Sequence, residues 1–234
     1  MKTQITIEKR FCGPPDSGNG GYTCGLLGGF LQGTAEVTLL LPPPLNRLLD
    51  VETKDNKVIL SDGGVSIAEA VPTRIEIDIP EPPSFLEAQR SATSEDKLKD
   101  HFFPTCFVCG PKRGIADGLR IFPGPVAERK YIAAPWIPDA SLSDETGSVR
   151  REIIWAALDC PGGWAIIAES LRFVLLGKLA VEIVNVVSPG DRCVVIGWKI
   201  SEERRKITVG SALFSDTGAL YAKAKATWIE LKGQ

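Results

Sequence analysis

Over the last quarter of the chain, apolar and polar positions alternate with a period of two. Residues 179–187, 192–200, 206–214 and 219–231 each read as a strand by this pattern and by their content of β-branched and aromatic residues. Turn residues separate them: Ser188-Pro189-Gly190-Asp191, then Ser201-Glu202-Glu203-Arg204-Arg205, then Ser215-Asp216-Thr217-Gly218. The order predicts a four-stranded antiparallel meander. Just upstream the period changes. Ile153, Ala156, Ala157 and Cys160 recur at helical spacing, with Ser148 as N-cap and Glu152 in the first turn. Pro161-Gly162-Gly163 predicts that this helix ends or bends there, beside Asp159.

The N-terminal half repeats the same succession in shorter form. Residues 1–8 alternate like a strand, 20–31 form a glycine-rich helix candidate, and 34–41 form a strand that runs into Pro42-Pro43-Pro44. Residues 48–52 and a hairpin over 58–70 follow, the latter echoing the hairpin around Asp216. This is a weak internal duplication. Proline-rich residues 79–84 and the polar run 90–100 read as a linker. The expected organisation is therefore an N-terminal half at 1–79, a linker at 80–117 and a C-terminal half at 118–234.

Composition narrows the function. The 234 residues are 44% hydrophobic and 24% charged, enough for a real core, and the net charge of −2 argues against nucleic acid as a partner. No apolar run is long enough to cross a bilayer, and the first residues lack a signal-peptide stretch, so no membrane partner and a cytoplasmic location are expected. Six cysteines are too sparse for a disulfide scaffold. The single histidine, His101, leaves no room for a multi-histidine metal site. Cys106-Phe107-Val108-Cys109 has the spacing of half a zinc knuckle, but no second such pair exists. It is read as a tight turn with two small buried thiols, and neither metal nor other cofactor is expected.

Asp159 is the only carboxylate in the apolar run 153–167. Burying it is costly unless it is paired or used, and burial moves a carboxyl toward a working base. Two readings stand side by side: a general base or nucleophile, or a cap on the backbone break at Pro161. Gly20-Gly21-Tyr22 likewise offers either helix N-terminal amides for an anionic oxygen or close helix–sheet packing. Cys160, Trp155 and Trp164 are most economically core residues, though either tryptophan can border a pocket.

The alternation of a central helix with an antiparallel sheet, twice over, resembles a double hotdog fold. Asn19-Gly20-Gly21-Tyr22, Ala156-Ala157-Leu158-Asp159 and the ending Asp216-Thr217-Gly218-Ala219-Leu220-Tyr221 resemble the acyl-CoA thioesterase II type of that superfamily. The resemblance implies an α+β double hotdog, with two antiparallel sheets each wrapped around a central helix. It implies hydrolysis of an acyl-CoA or acyl-carrier thioester, with a non-catalytic acyl-thioester or lipid-binding module as the alternative. Asp159 then falls on the catalytic aspartate, with Gly21 and Tyr22 as oxyanion donors and Asn19, Gly20, Trp155 and Gly177 at the substrate. The family's threonine and glutamine positions fall near Leu176-Gly177 and Ala226-Thr227, where neither residue is kept. The dehydratase branch of the superfamily needs a histidine ahead of Ile121-Phe122-Pro123-Gly124, and none is there. Sheet edges leave room for a homo-oligomer.

Overall fold

Strand alternation along the chain translates into one sheet in the computed structural model, which describes residues 2–231. Met1 of the expected first strand and residues 232–234 of the expected C-terminal half lie outside them. In chain order the elements are β1 (Lys2–Thr6), α1 (Gly20–Gly28), β2 (Ala35–Leu39), β3 (Leu48–Lys54), β4 (Lys57–Asp62), β5 (Val65–Pro72) and α2 (Phe85–Ser91). They continue with β6 (Gly124–Pro125), β7 (Ile132–Trp136), α3 (Arg151–Ile167), β8 (Val174–Ile183), β9 (Cys193–Glu203), β10 (Lys206–Ser215) and β11 (Leu220–Glu230). Among the described residues no helix is long and apolar enough to cross a membrane.

The strands run in the order β1-β3-β4-β5-β2-β8-β11-β10-β9-β7-β6. Each half therefore has a strand, a helix and four further strands laid out in the same way, the C-terminal half adding the short β6 beyond β7. The strand after the helix pairs with the last strand of its half, and the strand before the helix sits at the outer side. Two expectations are corrected. The two sheets expected from the sequence are one, because β2 and β8 pair antiparallel, with Ala35 opposite Val181 and Val37 opposite Leu179. An ion pair at 2.8 Å between Lys178 and Glu36 crosses that seam. And the C-terminal run is not a simple meander: β8 pairs with β11 rather than β9, because an edge strand left beside β2 lets both halves share their backbone hydrogen bonds.

Alternation places the core. On β11, Ala222, Ala224, Ala226 and Trp228 are buried against the helices while Lys223 and Lys225 point away. β9 is buried on both faces from Cys193 to Trp198. Its outer face packs with Ala88 of α2, Tyr131 and Phe214 in a second small core. The stretch expected as a linker is thus packed: α2 lies on the sheet, and Phe107 and Val108 have no exposed surface.

α1 and α3 lie side by side in the main core. A Cβ on Gly21 would fall 2.5 Å from Asp159 Cβ, and one on Gly25 would fall 2.5 Å from Glu152 Cα. Both distances are far inside van der Waals contact, so the helices sit this close only because these residues lack side chains. Pro161 does not end α3, which runs on to Ile167. The sheet holds it: the Ser211 hydroxyl donates to the Leu158 carbonyl at 2.6 Å, and Gly197 leaves space for the Pro161 carbonyl. Packing here outweighs the intrinsic cost of a proline inside a helix. Gly25→Ala should destabilise the protein by about 1–3 kcal/mol through overpacking. A urea or thermal unfolding curve unchanged from wild type would refute the close helix contact.

Candidate active site

A cavity of about 770 Å³ opens beside the N-terminus of α1 and the middle of α3. That volume suits a small-molecule ligand. Leu39, Leu176, Trp164, Ile167, Phe103 and Trp228 supply apolar walls, and the exposed side chains of Phe102 and Leu171 line it as well. Its polar lining comprises Asp16, Ser17, Asn19, Lys97, Asp100, His101, Asp159 and the thiols of Cys106, Cys109 and Cys160, of which Asn19, Asp159 and the three thiols converge on one another.

Asp159 is 2% exposed. Its Oδ2 accepts the Gly21 amide N–H at 2.8 Å and the Asn19 side-chain N–H at 3.1 Å. Its Oδ1 is buried with no hydrogen-bond partner among the described residues. Burial pushes the carboxyl up to about 7, and the neighbouring Cys106 sulfur adds to this, while the Gly21 and Asn19 donors oppose it. Asn19 is itself held: it caps α1, with Oδ1 accepting the Tyr22 amide at 2.8 Å. Tyr22 stacks on Phe11 with ring centroids 4.0 Å apart. Burial drives its hydroxyl well above the usual phenol range.

The amides assigned to an anionic oxygen are therefore spoken for, Gly21 by Asp159 and Tyr22 by Asn19. Neither residue lines the cavity, whereas Gly20, the first residue of the helix, does. Asn19, Gly20 and Gly177 line the cavity, and Leu176 is beside Gly177. Trp155 does not. It has no exposed surface, and its ring lies against Gly28 between the helices. The basic pairs Lys112-Arg113 and Arg150-Arg151 do not line the cavity either. Arg113 binds the Thr105 carbonyl and Asp117, and Arg151 binds the Gly33 carbonyl.

Three features of the cavity were missed from sequence. Cys106 and Cys109 face Cys160, with the Cys106 and Cys160 sulfurs 3.7 Å apart. Hydrogen bonds from Cys109 and Cys160 pull the Cys106 thiol well below its usual range. His101 also lines the cavity, its Nδ1 accepting the Phe103 amide at 2.9 Å, and burial lowers its pKa. The Cys-x-x-Cys spacing was a visible signal; the third thiol was not.

No family model matches the chain, and no curated protein matches it. Solved structures do. The tesB protein of Mycobacterium avium subsp. paratuberculosis superposes with a TM-score of 0.63 at 12% identity, over 99% of this chain and 93% of that one. A candidate thioesterase II from Thermobifida fusca superposes at 0.65 and 9% identity, over 99% and 92%. A hot dog fold protein of unknown function from Alicyclobacillus acidocaldarius superposes at 0.63 and 7% identity, over 100% and 94%. The chain has the hotdog fold.

The cavity walls give a direct test. Ile167→Trp, which places an indole in the cavity, should weaken binding of a fluorescent fatty-acyl probe by about tenfold, about 1.4 kcal/mol. Trp155→Phe should leave that affinity unchanged. Equal effects of the two substitutions would mean that the probe binds elsewhere.

Proposed function

We propose that this protein is a double hotdog hydrolase of an acyl thioester, an acyl-CoA or an acyl-carrier conjugate, with Asp159 as its general base. The observation that carries the reading is the asymmetry of that carboxyl. Two donors fix Oδ2, and Oδ1 has no protein donor, at a cavity walled largely by apolar side chains. A buried acceptor without a partner calls for a donor from outside the protein, and a water molecule is the simplest. The matching structure from Thermobifida fusca bears a thioesterase II name, at 9% identity.

In this reading the acyl chain occupies the apolar part of the cavity and the thioester carbonyl lies near Asn19 and Gly20. Asp159 Oδ1 takes a proton as the water oxygen attacks the carbonyl carbon. The carbon–sulfur bond then breaks, and the proton goes from Asp159 to the departing sulfur. The Gly20 amide is a first-turn N–H without an intrahelical partner and supports the oxygen of the tetrahedral intermediate. Gly21 and Tyr22 are positioning residues, acting through Asp159 and Asn19. Gly177 adds no side chain to the wall beside Leu176, where the thioesterase II type has its threonine.

Apolar lining at that threonine position favours a second reading, a module that binds an acyl thioester without cleaving it. A thiol-release assay over acyl-CoAs of varied chain length separates the two. Asp159→Asn should lower turnover by about 10²–10⁴-fold with the fold intact by circular dichroism. Full activity in that variant would sink the role of Asp159, and tight binding with no thiol release by wild type would select the binding module.

A further inference from the structure

We propose that Cys106, Cys109 and Cys160 form a zinc site of three thiolates whose fourth position faces the cavity. The three sulfurs lie within 4.8 Å of one another, and Cys106 Sγ and Cys160 Sγ are 3.7 Å apart. Zinc–sulfur bonds of about 2.3 Å at tetrahedral angles set neighbouring sulfurs about 3.8 Å apart. The Cys106–Cys160 pair therefore already matches one edge of a zinc tetrahedron, and the Cys109 sulfur lies within 4.8 Å of both. All six cysteines are free thiols, but only these three converge.

The surroundings fit a metal-bound sulfur cluster better than a packed core. Cys106-Phe107-Val108-Cys109-Gly110 is a closed turn in which the Gly110 amide donates to the Cys106 carbonyl at 2.9 Å. A Cβ on Gly110 would fall 2.5 Å from both the Cys106 amide nitrogen and carbonyl oxygen, so the turn closes this tightly only with glycine. The Asn19 side-chain N–H reaches both Cys106 and Cys160 sulfurs, at 3.9 and 4.0 Å. Such N–H groups orient thiolate ligands and spread their charge.

The turn is also anchored from outside. The Phe107 amide donates to the Cys12 carbonyl, and the Leu119 and Ile121 amides donate to the Phe107 and Val108 carbonyls. Cys160 comes from α3, so the metal would join the turn to the helix that carries Asp159. His101 is at hand but set as a donor: with Nδ1 accepting the Phe103 amide, its other ring nitrogen carries the proton. Three protein ligands and a position open to a cavity is the pattern of a reactive rather than a structural zinc site. That position suits water, a carbonyl oxygen or a thiolate. Its use on a thioester rests on the function proposed above, but the metal site itself does not.

Metal binding is read without any acyl substrate, on the full-length protein reduced and handled anaerobically. Zinc should bind at one equivalent, releasing to solvent the protons that the thiols carry. Cobalt(II) in its place should give sulfur-to-metal charge transfer and the intense visible bands of a tetrahedral site. Cys160→Ser should weaken zinc by at least about tenfold and lower the charge-transfer intensity by about one third, while Cys193→Ala leaves both unchanged. Adding 2-mercaptoethanol to the cobalt protein should raise the charge-transfer band as a fourth sulfur enters. Because Cys160→Ser can fail to fold, a mercurial titration of wild type provides an independent reading: one zinc should be released as three thiols react. Substoichiometric zinc, an octahedral cobalt spectrum, or a Cys106–Cys160 disulfide in the anaerobic protein would overturn the site. A spectrum indifferent to added thiol would overturn its open position. Loss of thioesterase turnover alone would bear on Asp159 and leave the metal site standing.

Discussion

A missing side chain at Gly21 governs the centre of this molecule. Because nothing projects from it, the backbone of α1 presses against α3 at Asp159, with the Gly21 amide 2.8 Å from the carboxylate. A hydrogen bond from a backbone amide to a carboxylate is stronger than a neutral one, and here it forms away from solvent. It fixes one oxygen of Asp159 and leaves the other without a hydrogen-bond partner among the described residues. Gly25 and Gly28 extend the same contact along Glu152 and Trp155. Helix spacing, the place of the carboxyl and the position of the cavity beside it follow from one close approach.

Three stretches far apart in sequence meet at that point. The N-cap of α1 brings Asn19, the turn at 106–110 brings two thiols, and α3 brings Asp159 and Cys160. Asn19 reaches both the carboxylate and the sulfurs, so the charge on one group is felt by the others. Burial raises the carboxyl while hydrogen bonds lower the Cys106 thiol, and the Cys106 sulfur in turn raises Asp159. Protonation of the three thiols is mutually linked, and that of Asp159 is linked to it through the Cys106 sulfur.

Much of this was legible locally. Asp159 stood out because an ionisable side chain in an apolar helix is costly, and that cost is independent of the fold. Helix, strand and hairpin order followed from periodicity, and the repeated succession of elements reappears as the same strand order in both halves. Pro161 misled because its local cost is offset by contacts with β9 and β10 that no local pattern reveals. Trp155, read from its type as most economically a core residue and placed at the substrate by the resemblance, is enclosed between the helices, where Gly25 and Gly28, more than a hundred residues away, make room for it. Gly21 was singled out as a donor to a substrate oxygen, whereas the group its amide addresses is the Asp159 carboxylate.

Residue types, their periods and their isolation in the chain determined which elements form and which carboxyl is expensive, because these are properties of short segments. Pairing of β2 with β8, partnership of Gly21 with Asp159, and convergence of Cys160 on Cys106 and Cys109 were decided only by the tertiary structure. Each depends on distances between segments separated by fifty to a hundred and fifty positions. Such distances follow from how a whole sheet wraps two helices, and a local pattern holds no record of them.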